Sequence, residues 1–127
     1  MQWNFDHDRP IYKQLVEQLQ IAIITGQYSA LEKLPSVRDL AMESKVNPNT
    51  MQKAMQELEN LGLVYSKRTS GRYITEDQAL IAKIKREMAS EKIRQFMTDM
   101  KQLNLSRDEV IQYLKKEEER HDKISGV

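Results

Sequence analysis

The chain has 127 residues, a charged content of 31%, a hydrophobic content of 39%, a formal net charge of +1 and no cysteine. This length suits one compact domain with an extension rather than two full-sized domains. The lack of cysteine excludes disulfides and cysteine-based metal sites or nucleophiles, and the small net charge excludes a non-specific histone-like coat of DNA, which needs a strongly basic chain.

The usual signals for export, membrane insertion and enzymatic chemistry are missing from this sequence. The N-terminus shows no basic start followed by an apolar core, and no apolar run approaches membrane-spanning length, so we expect a cytoplasmic protein without a membrane partner. We expect Asp8 to cap a helix and His7 to lie in solvent, rather than Asp6-His7-Asp8 to bind a metal. We therefore expect no catalytic residue, metal, cofactor or enzymatic activity.

An amphipathic helix is predicted from about Arg9 to Thr25, with Gly26 at its end. Its apolar positions recur at helical spacing and would pack behind the two helices that follow; they are Ile11, Leu15, Leu19, Ala22 and Ile23. The aromatic arm that precedes it, Trp3-Asn4-Phe5, is expected to pack on the same domain.

Two short helices separated by a turn are predicted over residues 34–61. Ser36 is placed to cap the first helix, with Asp39 three residues later, and the turn falls at residues 44–46. Asn47 caps the second helix, Pro48 occupies its first position, and Gly62 follows its last residue. This spacing predicts a helix-turn-helix whose recognition helix covers about residues 48–61.

The second helix has one apolar stripe and one polar face. The stripe consists of Met51, Ala54, Met55, Leu58 and Leu61. The polar face carries Asn49, Gln52, Lys53, Gln56 and Asn60, whose side chains can hydrogen-bond base edges or phosphates. Acidic residues appear only later, at Glu57 and Glu59, and the N-terminal part of a recognition helix is the part that enters the major groove.

A basic hairpin is predicted directly after this helix. Residues 63–66 and 72–75 form its strands, and no acidic residue lies between Glu59 and Glu76. Lys67, Arg68 and Arg72 therefore make a cationic wing over residues 67–72, suited to a phosphate backbone or a narrow minor groove.

The remaining chain, from about Asp77, is predicted to form one long helix or two joined pieces, followed by a last helix that Ser106 and Glu109 cap. Apolar residues change face near residues 89–92, which indicates a kink or different partners for the two halves. We expect the later face to form a dimer interface, made of Ile93, Phe96, Met97, Met100, Leu103, Val110 and Leu114. The methionines leave open a pocket for an unknown small-molecule effector, although methionine more often fills a core or interface.

The sequence resembles the GntR family of bacterial transcription regulators over about residues 9–75, and its short extension resembles the YtrA-type subfamily. The matching motifs are Pro10-Ile11-Tyr12, Gln14-Leu15, Gly26, residues 34–41, residues 46–50, Leu58-Glu59, Gly62-Leu63 and the hairpin with Gly71. This resemblance implies a winged helix-turn-helix that binds operator DNA as a dimer. Two segments depart from the family pattern: residues 29–33 replace a Pro-Gly turn, and Thr69 replaces a wing glycine. Thr69 is expected to change the backbone angle or to hold the wing back from the minor groove.

Together these patterns predict a mainly α fold with a small β-hairpin. A winged helix-turn-helix covers residues 1–76 and a helical dimerisation extension covers residues 77–127. We expect a sequence-specific transcription regulator, a repressor, that binds double-stranded operator DNA as a homodimer. Its expected DNA-binding residues are Ser36, Arg38, Asn47, Pro48, Asn49, Thr50, Gln52, Lys53, Lys67, Arg68 and Gly71. The alternative is a winged-helix protein-interaction module without DNA binding, which predicts an acidic or apolar outer face on the second helix.

Overall fold

Helices dominate the structure, and one antiparallel hairpin interrupts them at the predicted place. The computed structural model describes residues 1–125, with side chains described as far as His121. Within that range the elements are α1 Ile11–Ile24, α2 Val37–Ser44, α3 Pro48–Asn60, β1 Val64–Lys67, β2 Gly71–Ile74, α4 Gln78–Gln102 and α5 Arg107–Ser125. The mainly α fold with a small hairpin is confirmed. None of the described helices has both the length and the apolar content needed to cross a membrane.

The core of the N-terminal part forms where α1 and α2 pack against α3. The largest fully buried side chains come from all three helices, from the residue before β1 and from the end of β2; they are Leu15, Leu19, Leu40, Met51, Met55, Leu58, Leu63 and Ile74. Burying one such side chain contributes about 1.5–3 kcal/mol. The predicted stripe of α3 is thus confirmed from Met51 to Leu58, whereas Leu61 is only half-buried.

A third segment pairs with the hairpin. In the hairpin itself Val64 lies opposite Ile74 and Lys67 lies opposite Gly71. Residues 31–34 then run along the free edge of β2, where the Leu31 N–H donates to Ile74 O and the Leu34 N–H donates to Arg72 O, each at 2.9 Å. Leu31 has a φ of +66°, a left-handed angle at which glycine is usual, in the segment where the family pattern has a Pro-Gly turn.

The aromatic arm packs on the helices, as the sequence predicts. The Trp3 Nε1–H donates to Glu43 Oε1 at 3.1 Å, and Asn4 exchanges backbone hydrogen bonds with the Gln18 amide at 3.2 and 2.8 Å. The prediction that Asp8 caps α1 is wrong, because Pro10 is the N-cap residue and no side chain caps it. The buried Gln14 amide instead bonds both the N–H and the carbonyl of Asp6 at 2.7 Å, which ties the arm to α1.

Backbone contacts divide the chain into two compact units, residues 1–85 and residues 86–127. In the first unit, Asp77 accepts from the Leu80 N–H at 3.0 Å and so caps α4, and Ile84 is buried. In the second unit, Asn104 takes a φ of +58° at the end of α4, and the Leu105 N–H donates to Met100 O at 3.2 Å. That pattern is a Schellman cap. The helix α4 is continuous through residues 89–92.

Candidate nucleic-acid interface

Side-chain caps fix the starts of α2 and α3, and a residue with a left-handed backbone angle lies in the turn between the two helices. The Ser36 Oγ accepts from the Asp39 N–H at 3.1 Å, and the Asn47 Oδ1 accepts from the Asn49 N–H at 2.8 Å. Lys45 takes a φ of +59° between the helices, and the Val46 N–H donates to Ala41 O at 3.1 Å. Ser36 and Asn47 are therefore engaged in capping, which positions the backbone N–H groups at the start of each helix.

The outer face of α3 is open to solvent over its first two turns. Asn49, Gln52, Lys53 and Gln56 are exposed, whereas Thr50 is half-buried. Lys53 differs from its neighbours because its Nζ lies 4.7 Å from the centre of the Tyr12 ring on α1. This cation–π contact orients the ammonium without neutralising it. Tyr12 was not predicted to be part of the site, and no local sequence signal could have indicated it, because the contact joins two helices.

The wing has one cation without a partner and two that are engaged. The Arg68 side chain is exposed and has no hydrogen-bond or ion-pair partner among residues 1–121. The Lys67 Nζ lies 4.4 Å from the centre of the Tyr73 ring. Arg72 was expected to be a third cation available to DNA. Its Nε instead donates to Glu59 Oε1 at 2.6 Å, so its charge is already paired within the chain.

Glu59 links α3 to the wing through two hydrogen bonds. Besides the Arg72 bond, its Oε1 accepts from the Ser66 hydroxyl at 2.5 Å. The Ser66 hydroxyl and then the Arg72 guanidinium hold the pKa of Glu59 below its ordinary value. The carboxylate is therefore charged at neutral pH, and Arg72 balances it. This role of Glu59 was not predicted from the sequence, because Glu59 and Arg72 are 13 residues apart.

The tip of the wing contains two unusual backbone angles. Thr69 keeps a φ of +64°, so its side chain does not move the backbone out of the left-handed region where glycine is usual. Gly71 has a φ of +119°, and a Cβ at that position would lie 3.1 Å from Lys33 Cε. The positive φ favours glycine at position 71, whereas the flexible Lys33 side chain would have to shift only slightly to admit a Cβ.

Clefts show which of the predicted DNA-binding residues share a surface. Ser36, Ser70 and Gly71 line one cleft of about 570 Å³, so the start of α2 faces the wing. Asn47 and Thr50 line another of about 480 Å³, together with Trp3, Phe5 and His7 from the arm. Arg38 is exposed on α2, and Pro48 is exposed at the start of α3.

The second unit exposes the apolar residues that the sequence assigns to a dimer interface. Ile93 is 61% exposed, Phe96 38%, Leu103 65% and Leu114 48%, and Met97 and Met100 are half-buried. Val110 is different, because it is only 3% exposed, although it lines the same groove as residues of α4 and α5. Tyr113, 57% exposed, lines the same surface, and its spacing of three residues from Val110 is a signal that could have identified it.

Comparison with known proteins decides the family. A family model described as bacterial regulatory proteins, gntR family, matches residues 11–74. The chain belongs to the GntR family. Among GntR relatives, the uncharacterized HTH-type transcriptional regulator YhcF of Bacillus subtilis is 34% identical over 88% of this chain and 93% of its own. The HTH-type transcriptional repressor YtrA of Bacillus subtilis is 33% identical over 84% of this chain and 82% of its own.

Solved GntR structures agree with this assignment. A GntR family transcriptional regulator from Listeria monocytogenes matches with a TM-score of 0.83 and 39% identity, over 88% of this chain and 98% of that one. The DNA-binding domain of AraR, solved in complex with operator ORX1, matches with a TM-score of 0.50 and 26% identity, over 59% and 92% of the two chains. The predicted family and its YtrA-like character are confirmed, and the named relatives are regulators rather than enzymes.

Proposed function

We propose that this GntR-family regulator is a homodimeric repressor that binds a specific operator through the outer face of α3 and the tip of the wing. The observation that carries the proposal is the composition of the first two turns of α3. Asn49, Gln52 and Lys53 are exposed there, and no carboxylate accompanies them. Amide side chains can read base edges, and a carboxylate in their place would repel phosphate.

The proposed contacts are of two kinds, those that read base edges and those that bind the phosphates of the DNA backbone. Asn49 lies at the start of α3, the end that enters the major groove in helix-turn-helix proteins. Lys53 and Arg68 carry charge that is not balanced by an ion pair within the described part of the chain, so they suit phosphates. The repressor name of YtrA and the operator in the AraR complex support the proposal.

A homodimer follows from two independent requirements. One helix-turn-helix reads too few base pairs to select an operator, and dimers solve this by binding two half-sites about 34 Å apart. The apolar surface of α4 and α5 also needs a partner, because Phe96, Met97 and Leu114 line an open groove of about 590 Å³ with apolar neighbours. A second copy of this surface is the occupant that satisfies both requirements.

Binding of DNA from upstream of the protein's own gene tests the division of contacts. Asn49→Ala should weaken binding to that duplex by about 1–3 kcal/mol and relax the choice of base at one position. Arg68→Ala should weaken operator and scrambled duplexes alike and reduce the salt slope by about one. Asn60→Ala is the control, since Asn60 is exposed at the opposite end of α3. Equal weakening of both duplexes by Asn49→Ala would contradict base readout.

A further inference from the structure

Two hydrogen bonds accepted by one carboxylate join the recognition helix to both strands of the hairpin. Glu59 lies in the last turn of α3, and its Oε1 accepts from Ser66 on β1 and from Arg72 on β2. The side chains are partly buried, at 30% exposure for Glu59 and 21% for Arg72. The link therefore lies in a region where water competes less with an ion pair than it does on an open surface.

The wing needs such a link because it is small. Its strands have four residues each, and an isolated two-stranded hairpin is marginally stable in water. Residues 31–34 fix the outer edge of β2 through the Leu34 and Arg72 backbones. Near the tip, the Ser70 and Tyr73 hydroxyls are hydrogen-bonded to each other, and Lys67 covers the Tyr73 ring. Glu59 connects the hairpin to α3.

Charge alone would disfavour an acidic residue at this position. A carboxylate beside a DNA-binding face repels phosphate, and its removal is expected to raise affinity for any duplex. Removing Glu59 would also free the Arg72 guanidinium, which adds a cation to the wing. Both electrostatic effects predict tighter DNA binding without Glu59.

We propose that Glu59 is a positioning residue for DNA binding. It holds the wing, with Arg68 at its tip, at the angle from which wing and α3 contact one duplex at the same time. This inference rests on the proposed operator binding and extends it to a residue that touches no DNA.

Paired substitutions on one helix test the proposal. Glu59→Ala should weaken operator binding about as much as Arg68→Ala does, and should reduce the salt slope by about one. Glu57→Ala is the matched control, because Glu57 is on the same helix and has no ion-pair partner in the part of the chain that the structure describes. It should leave binding unchanged or strengthen it. Tighter binding by Glu59→Ala would overturn the proposal.

A double-mutant cycle separates positioning of Arg68 from an electrostatic effect of Glu59 that is independent of Arg68. Glu59→Ala and Arg68→Ala should be non-additive, because a misplaced wing has already lost the Arg68 contact. Additive losses would overturn the proposal. Ser66→Ala removes one tie without changing charge and should weaken binding in the same direction, so it tests the idea even if Glu59→Ala unfolds the protein. Operator binding itself is checked separately. The wild type should prefer the operator to a scrambled duplex, and Asn49→Ala should reduce that preference.

Discussion

Thr69 has a left-handed backbone angle that β-branched residues rarely adopt, with a φ of +64° at the tip of the wing. It sits in a turn that the Ser70 N–H closes onto Lys67 O at 3.2 Å, and its hydroxyl donates to Arg68 O at 2.6 Å. These local bonds hold the turn without removing the contact between Cβ and the backbone that disfavours positive φ.

Thr69→Gly is therefore expected to stabilise the protein. Relief of the left-handed strain contributes about 1–2 kcal/mol, and the greater freedom of glycine in the unfolded chain offsets about 0.4–1 kcal/mol of it. Chemical denaturation should show a higher free energy of unfolding. Arg68→Gly is the control, because Arg68 in the same turn has no positive φ and should lose stability. A free energy of unfolding lowered as much in Thr69→Gly as in Arg68→Gly would contradict the idea that the Thr69 backbone is strained.

Caps and turns operate at the scale of one element, and most of them could be predicted from the sequence. Ser36, Asn47, Gly26 and Gly62 all hold the positions expected of them. Asp8 is the exception, because Pro10 occupies the N-cap position of α1 and no side chain caps that helix. A side-chain cap is decided within about four residues of the helix start, because it must reach the free N–H groups there.

The capping box of α5 makes an element-scale prediction. The Ser106 N–H donates to Glu109 Oε1 at 3.1 Å, and the Glu109 N–H donates to Ser106 Oγ at 3.2 Å. Ser106→Ala should destabilise the start of α5 by about 1 kcal/mol. Hydrogen exchange of the α5 amides should report it as faster opening. Ser90→Ala, an exposed position inside α4, should be neutral or slightly stabilising, and equal effects of the two would contradict the cap's role.

At the scale of the whole molecule, the proposed dimer depends on the apolar surface of the second unit. Phe96 lines both grooves on that surface. Phe96→Glu would place an unpaired carboxylate in an apolar contact, so the dimer dissociation constant should rise by about tenfold or more. Sedimentation velocity should then show monomers at concentrations where the wild type is dimeric, and operator affinity should fall with it.

Ile21→Glu is the control for that experiment. Ile21 is 37% exposed and Phe96 is 38% exposed, but Ile21 lies on α1 in the first unit. The change should therefore leave the oligomeric state as it is. A Phe96→Glu protein that remained a dimer and still bound its operator would exclude this surface as the interface.

The sequence by itself determined the order of the elements, the caps of α2, α3 and α5, the buried stripe of α3 and the family. Each of these depends on residues within a few positions of one another, where helical spacing and turn chemistry act directly. Only the tertiary structure decided which charged groups remain available to DNA. Glu59 engages Arg72 from 13 residues away, Lys53 meets Tyr12 on another helix, and residues 31–34 pair with β2. Such contacts depend on how the elements pack, and the spacing of residues along the chain does not indicate that packing.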